Sequence, residues 1–171
     1  MEKKYQHEIL SGLDETAEDL FQTITLFNQE EFNEIPFEGS WTAGQVADHI
    51  FKSETGLPAV LNGNSKTTER QPDEKVAKIK SIFLDYNLKM KSPDSVLPSN
   101  EKQDKEQIST ALKVNREKII GLANSLDLEK TYYDFPFPGL GEFTGIEWLT
   151  FAICHTKRHI HQMKNIHDKM K

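Results

Sequence analysis

Apolar residues recur every three or four positions through four long stretches of this chain, and that period confines it to a fold of packed helices. The first stretch runs from about Tyr5 to Phe27, with Ile9, Leu13, Ala17, Leu20, Ile24 and Phe27 along one line. The second opens at Ser40-Trp41-Thr42 and the third runs from Asp104 to Ser125 through Ile108, Leu112, Ile119 and Leu122. The fourth runs from Thr144 to Met170, through Trp148, Ala152, Met163 and Ile166. Strand-like alternation is almost absent. The expected class is all-α: a four-helix bundle with a long crossover connection between the second and third long helices. At 171 residues the chain reads as a single domain, 1–171, with room for a substantial core.

Local chemistry marks the helix ends. Thr42 with Gln45, and Thr144 with Glu147, are capping boxes, in which side chain and backbone satisfy each other's orphan donors. Trp41 precedes the first box and is placed to staple against Val46. Asp104 caps the third long helix, with Gln107 at its third position. Pro58 is expected to kink the second helix before Asn62-Gly63-Asn64 ends it. Within the connection, a helical piece is expected from Pro72 to Asn87, after which Pro93 and Pro98 interrupt any helix. The Pro- and aromatic-rich segment Tyr132 to Gly141 reads as a loop.

The fourth helix carries His155 and His159 on its buried stripe, one turn apart, while His161 falls on the opposite face and His167 at the edge. A buried histidine is ordinarily a core residue with a polar partner. Two at this spacing can instead converge on one metal ion, and a third ligand decides between the readings. His49 supplies a candidate: it follows Gln45 by one turn and points inward on the second helix, with the small Ser53 and Gly56 further along that line. Three neutral imidazoles form the ligand set of an open site that water or substrate completes. Asn115 lies on the inward line of the third helix as a further polar group. Cys154 is the only cysteine, which excludes an intrachain disulfide and a Cys-based zinc site. Adjacent helical residues point about 100° apart, so Cys154 does not form a nucleophilic dyad with His155.

Other metal-bearing grammars are missing. No histidine has Glu three residues before it, as ferritin-like di-iron bundles require, and Thr156 stands where a zincin protease has its general base. Hydrolysis would need a metal-activated water or a base from another helix. The 21 basic and 27 acidic residues are scattered and leave a net charge of −6, which gives no support for nucleic-acid binding. No run has the length of a membrane span, and Met1 to Glu8 lacks a signal-peptide core, so a cytoplasmic location with no membrane partner is expected.

Taken in order, Ser40-Trp41-Thr42, Asp48-His49, Gly141-Glu142-Phe143-Thr144, Glu147-Trp148, His155-x-x-x-His159 and Gln162 resemble the DinB-like (damage-inducible) superfamily of four-helix bundles. The resemblance covers nearly the whole chain. It implies a divalent metal, zinc or nickel, held by His49, His155 and His159. It also implies a homodimer and chemistry on small molecules. Characterised members include bacillithiol-dependent S-transferases and a mycothiol-dependent isomerase, while others are labelled metal-dependent hydrolases. The expected function is therefore a metal-dependent thiol S-transferase acting on small electrophiles, with a low-molecular-weight thiol as co-substrate. The alternatives are a metal-dependent hydrolase and a non-catalytic metal- or ligand-binding stress-response protein.

Overall fold

Helices form where the apolar stripes require them and stop where capping chemistry intervenes. In the computed structural model of the chain, residues 2–171 are described. The long helices are α1 (Glu2–Ile24), α3 (Ala43–Thr55), α6 (Lys105–Ser125) and α7 (Gly145–Lys169). Between them lie the short α2 (Gln29–Phe32), α4 (Leu57–Leu61) and α5 (Val76–Phe83), and a single 3-10 turn at Asp94–Val96. Three strands, β1 (Ser65–Lys66), β2 (Thr131–Phe137) and β3 (Gly141–Thr144), complete the described elements. α1 packs against α6 and α7, and α3 packs against the same two, so the bundle runs α1–α6–α3–α7 around its axis. α5 lies along the outside of α7. The fold is mainly all-α, as the periodicity indicates.

Three local expectations are corrected. Pro58 does not kink one continuous helix: α3 ends, Gly56 intervenes, and Pro58 occupies the first turn of the separate α4. There its missing N–H would have no helical partner in any case. The helical piece expected from Pro72 to Asn87 shortens to α5, because residues 72–75 form turns and the chain beyond Phe83 leaves the helix. The segment from Tyr132 to Gly141 is no loop. It forms most of an antiparallel hairpin, with Tyr132 opposite Phe143 and Phe137 opposite Gly141, and β1 pairs the outer edge at Ser65–Tyr132. Gly139 and Gly141 take φ of 77° and 75°, which lets the chain reverse between the strands.

The hairpin delivers α7 to its place. Thr144 ends β3 and caps α7, its Oγ1 accepting from Glu147 N at 3.2 Å while Glu147 Oε2 accepts from Thr144 N at 2.9 Å. The wholly buried Glu147 also receives both Arg70 terminal nitrogens at 2.7 Å and Lys75 N at 2.9 Å. One carboxylate thus ties the connection, the hairpin and α7 together.

The apolar interior is divided. One cluster contains Ile9, Leu13, Leu57, Leu61, Ile119, Ala123, Leu149 and Cys154. The other contains Leu20, Ile24, Ala47, Ile50, Ile108, Leu112, Ile160 and Met163. On each long helix the division falls at a polar residue, and the candidate site lies at that level.

Candidate metal centre

His49 is placed by the well-capped start of α3. Thr42 Oγ1 accepts from Gln45 N and Gln45 Oε1 accepts from Thr42 N, each at 3.0 Å, so the expected capping box forms. The strap between α5 and α6 is then tied over this helix by its main chain. Gln45 Nε2 donates to Ser99 O (3.3 Å), Asp48 Oδ2 accepts from Ser99 N (2.8 Å), and Lys52 Nζ donates to Leu97 O (3.0 Å). The Val96 carbonyl lies 2.7 Å from His49 Nδ1. A carbonyl only accepts, so that nitrogen carries the proton and His49 Nε2 keeps a bare lone pair.

His155 and His159 project from adjacent turns of α7 toward the same point. His155 Nε2 is 3.1 Å from His49 Nε2 and 3.1 Å from His159 Nε2. His159 Nδ1 donates to Gln162 Oε1 at 2.7 Å, which again leaves Nε2 bare. All three rings are buried. Burial holds the His49 and His155 imidazoles below their ordinary pKa, His155 well below, and pushes His159 down to about 3. The neighbouring imidazoles add to the effect at His155 and His159, where a second positive charge is unwelcome. The three rings are therefore neutral, the form in which imidazole donates a lone pair.

The donor set fits a cation. Two bare lone pairs face a third nitrogen that has one hydrogen at most, so the protein alone cannot satisfy all three. Tetrahedral ligation at about 2.0–2.1 Å would separate ligand nitrogens by roughly 3.4 Å, close to the 3.1 Å pairs. His155 Nδ1 is buried with no hydrogen-bond partner among the described residues, and the His155 ring packs near those of Phe151 and Phe83, centroids 5.2 and 6.1 Å away. Its Nε2 is thus the one nitrogen of that ring with partners in reach.

The histidines form the inner wall of a cleft of about 500 Å³. Its apolar side is built by Ile82 and Phe83 of α5, Phe137 and Leu140 of the hairpin, and Phe151 of α7. Pro93 and Val96 of the strap close another side, so both segments flanking the site contribute. Lys78, Lys91 and Arg158 also line it, and among the described residues no carboxylate does. Arg158 donates to the carbonyls of Asp85 and Leu88, a further tie between α7 and the strap.

The other singled-out residues go elsewhere. His161 is exposed and stacks on Tyr86 at 4.3 Å, while His167 packs edge-on against Phe27 at 5.3 Å. Asn115 does not reach the cleft, and its Nδ2 is buried without a partner. Cys154 lines a separate hollow beside α1, and burial raises its thiol pKa, so it forms no dyad with His155. Ser53 does line the cleft, its Oγ donating to His49 O at 2.8 Å. Arg116 and Glu54, buried and bonded to each other and to Thr156 next to the histidines, belong to no motif in the sequence. Each interrupts an apolar stripe at stripe spacing, and a charge in such a register was the available signal.

Comparison with known proteins agrees with this fold. The family model described as the DinB superfamily matches residues 12–163. An uncharacterised protein of Bacillus subtilis (strain 168), YuaE, is 27% identical over 165 residues, covering 94% of this chain and 98% of its own. Among solved structures, YfiT from Bacillus subtilis superposes with a TM-score of 0.66 at 15% identity, covering 99% of this chain and 90% of that one. It is described as a probable metal-dependent hydrolase with an unusual four-helix bundle topology.

Proposed function

This chain belongs to the DinB superfamily, and from that premise we propose that it is a metal-dependent thiol S-transferase, with His49, His155 and His159 holding a divalent cation, zinc or nickel. Such a cation lowers the pKa of a coordinated thiol, making it nucleophilic at neutral pH. The protein holds three neutral imidazoles at the inner wall of the cleft and keeps two of them in the donor tautomer through Val96 O and Gln162 Oε1. The aromatic side formed by Phe83, Phe137 and Phe151 takes the apolar body of a small electrophile and keeps water from it. Lys78 and Lys91 supply positive charge for an anionic group on the thiol.

The observation that carries this reading is a cleft lined by three histidines and, among the described residues, no carboxylate. A free thiol, with a pKa of about 8.5, is far more acidic than bulk water at about 15.7, so a bound cation would bring it to the anion with less help from a protein base than water would need. The test is turnover of a model electrophile by metal-loaded protein, with and without low-molecular-weight thiols. Conjugation that requires the thiol is expected. Failure with every common cellular thiol counts decisively against it.

Hydrolysis is the second reading, favoured by the shared fold of YfiT and its description. It predicts thiol-independent cleavage of an ester or amide, with a rate that rises through the pKa of a coordinated water. A bundle that only binds metal would show neither activity.

A further inference from the structure

The division of the interior into two apolar clusters follows one level through all four long helices. On α1 it falls at Thr16, between Leu13 and Leu20, and on the α3–α4 segment at Glu54, between Ile50 and Leu57. On α6 it falls at Asn115 and Arg116, between Leu112 and Ile119. On α7 it falls at His155, Thr156 and His159, between Cys154 and Ile160. These polar residues are all buried, so a polar layer crosses the bundle at the height of the histidines.

Half of this layer is a bonded network. Arg116 donates from one terminal nitrogen to Thr16 Oγ1 (3.0 Å) and Leu13 O (3.3 Å) on α1. From the other it donates to Glu54 Oε1 on α3 (2.5 Å) and to Thr156 Oγ1 on α7 (2.9 Å). Thr156 Oγ1 lies 2.7 Å from the same Glu54 oxygen. One guanidinium and one carboxylate thereby join α1, α3, α6 and α7.

We propose that Glu54, held by Arg116 and Thr156, is a positioning residue that sets the register of α3 against α7 and so brings His49 to His155 and His159. The inference extends the three-histidine reading above, yet its geometric core does not depend on a metal. Glu54 follows His49 by five residues, about 7.5 Å along α3, and its partner Thr156 is the next residue after His155. The bond from Glu54 to Thr156 therefore fixes a second point between these helices beside the one where the imidazoles meet. Apolar side chains alone select a helix face but resist a slide of one turn weakly, since the stripe repeats at that interval. A slide of α3 would separate Glu54 from both partners and leave two unpaired charges in the interior, which is far more costly. A buried polar group that fixes register is the best-attested use of such pairs.

Stability and positioning can be separated by two variants. Replacing a buried ion pair with apolar residues of similar volume commonly preserves or raises stability, so Glu54→Leu/Arg116→Met is expected to stay folded while losing the register. Glu54→Gln keeps an oxygen acceptor in place but strands the Arg116 charge, so its melting temperature should fall while its register persists. Two readouts apply to each: ring-to-ring NOEs among His49, His155 and His159 in metal-free protein, and cobalt(II) affinity with its visible spectrum. In the double variant the His49 NOEs should vanish and cobalt affinity drop at least tenfold. In Glu54→Gln both should match the parent. A double variant with parental NOEs and cobalt affinity within twofold overturns the proposal. If the double variant does not unfold cooperatively, Thr156→Val, which removes the α7 hydroxyl bonded to Glu54 and Arg116 and leaves the Arg116–Glu54 pair in place, decides by the same readouts. A parent protein that binds no cobalt, paired with NOE loss in the double variant, removes the metal reading and leaves the positioning role standing.

Discussion

At the scale of single residues, position on the helix decides which histidines matter. His159 and His161 are two residues apart on α7, one buried against His155 and the other stacked on exposed Tyr86. Metal analysis of untagged protein should show His159→Ala losing nearly all bound metal, while His161→Ala retains the parental amount. His159 also makes the metal-free protein acid-sensitive. Its folded-state pKa, about 3, lies below the ordinary 6.5, so the unfolded chain binds the proton more readily. The stability it confers is present above pH 6.5 and is lost as pH falls toward 3. Urea titrations of metal-free protein across that window should show stability falling, with a shallower slope in His159→Gln. The three histidines were legible in the sequence because an imidazole on an apolar stripe is conspicuous. The partner of His49 was not, since the Val96 carbonyl has no side-chain signature. Gln162 entered only through the family resemblance and proves to be the acceptor for His159.

At the scale of elements, α7 depends on how it begins. Glu147→Ala removes the acceptor for Arg70, Lys75 N and Thr144 N. Thermal or urea unfolding should show a loss of about 3 kcal/mol, as for a broken buried ion pair. Thr144→Ala, which removes the cap and the hydroxyl's bond to Pro72 O, should cost about 2 kcal/mol. Gly145 has a separate reason for being glycine: a Cβ there would lie 3.0 Å from the Leu128 backbone. Gly145→Ala should therefore destabilise by roughly 1–3 kcal/mol, the usual cost of overpacking, although alanine is the better helix former. The caps of α3 and α7 were readable because their motif is local. The hairpin was not. Pro136 and Pro138 argue against a strand; Pro136 is tolerated because β1 pairs only as far as Tyr132 and the pairing with β3 is irregular between Tyr132 and Phe137, and Pro138 falls in the turn after β2.

At the scale of the whole molecule, the bundle class was legible from periodicity alone, because four apolar stripes need one another. The polar layer between the two apolar clusters was not, since it exists only when residues from four separated segments meet. Among the described residues, no helix is long and apolar enough to cross a membrane. If the histidines bind a cation only when folded, free metal at a thousand times its Kd should stabilise the bundle by about 4 kcal/mol. For a chain of this size, each kcal/mol raises Tm by about 2–4 °C. Calorimetry should therefore show a rise of roughly 8–16 °C with zinc, reversed by a chelator and absent in His159→Ala.

The strap that covers α3 is gripped almost wholly by its peptide groups: the carbonyls of Val96, Leu97 and Ser99 and the amide of Ser99. Every amino acid brings the same carbonyl, so the hold on His49 is indifferent to which side chain stands at position 96. What it depends on is count. A residue inserted or deleted between Asp85 and Ser99 would carry the wrong peptide past His49 and release its proton-bearing nitrogen, where Val96→Ala would trim the cleft wall and keep the carbonyl in place.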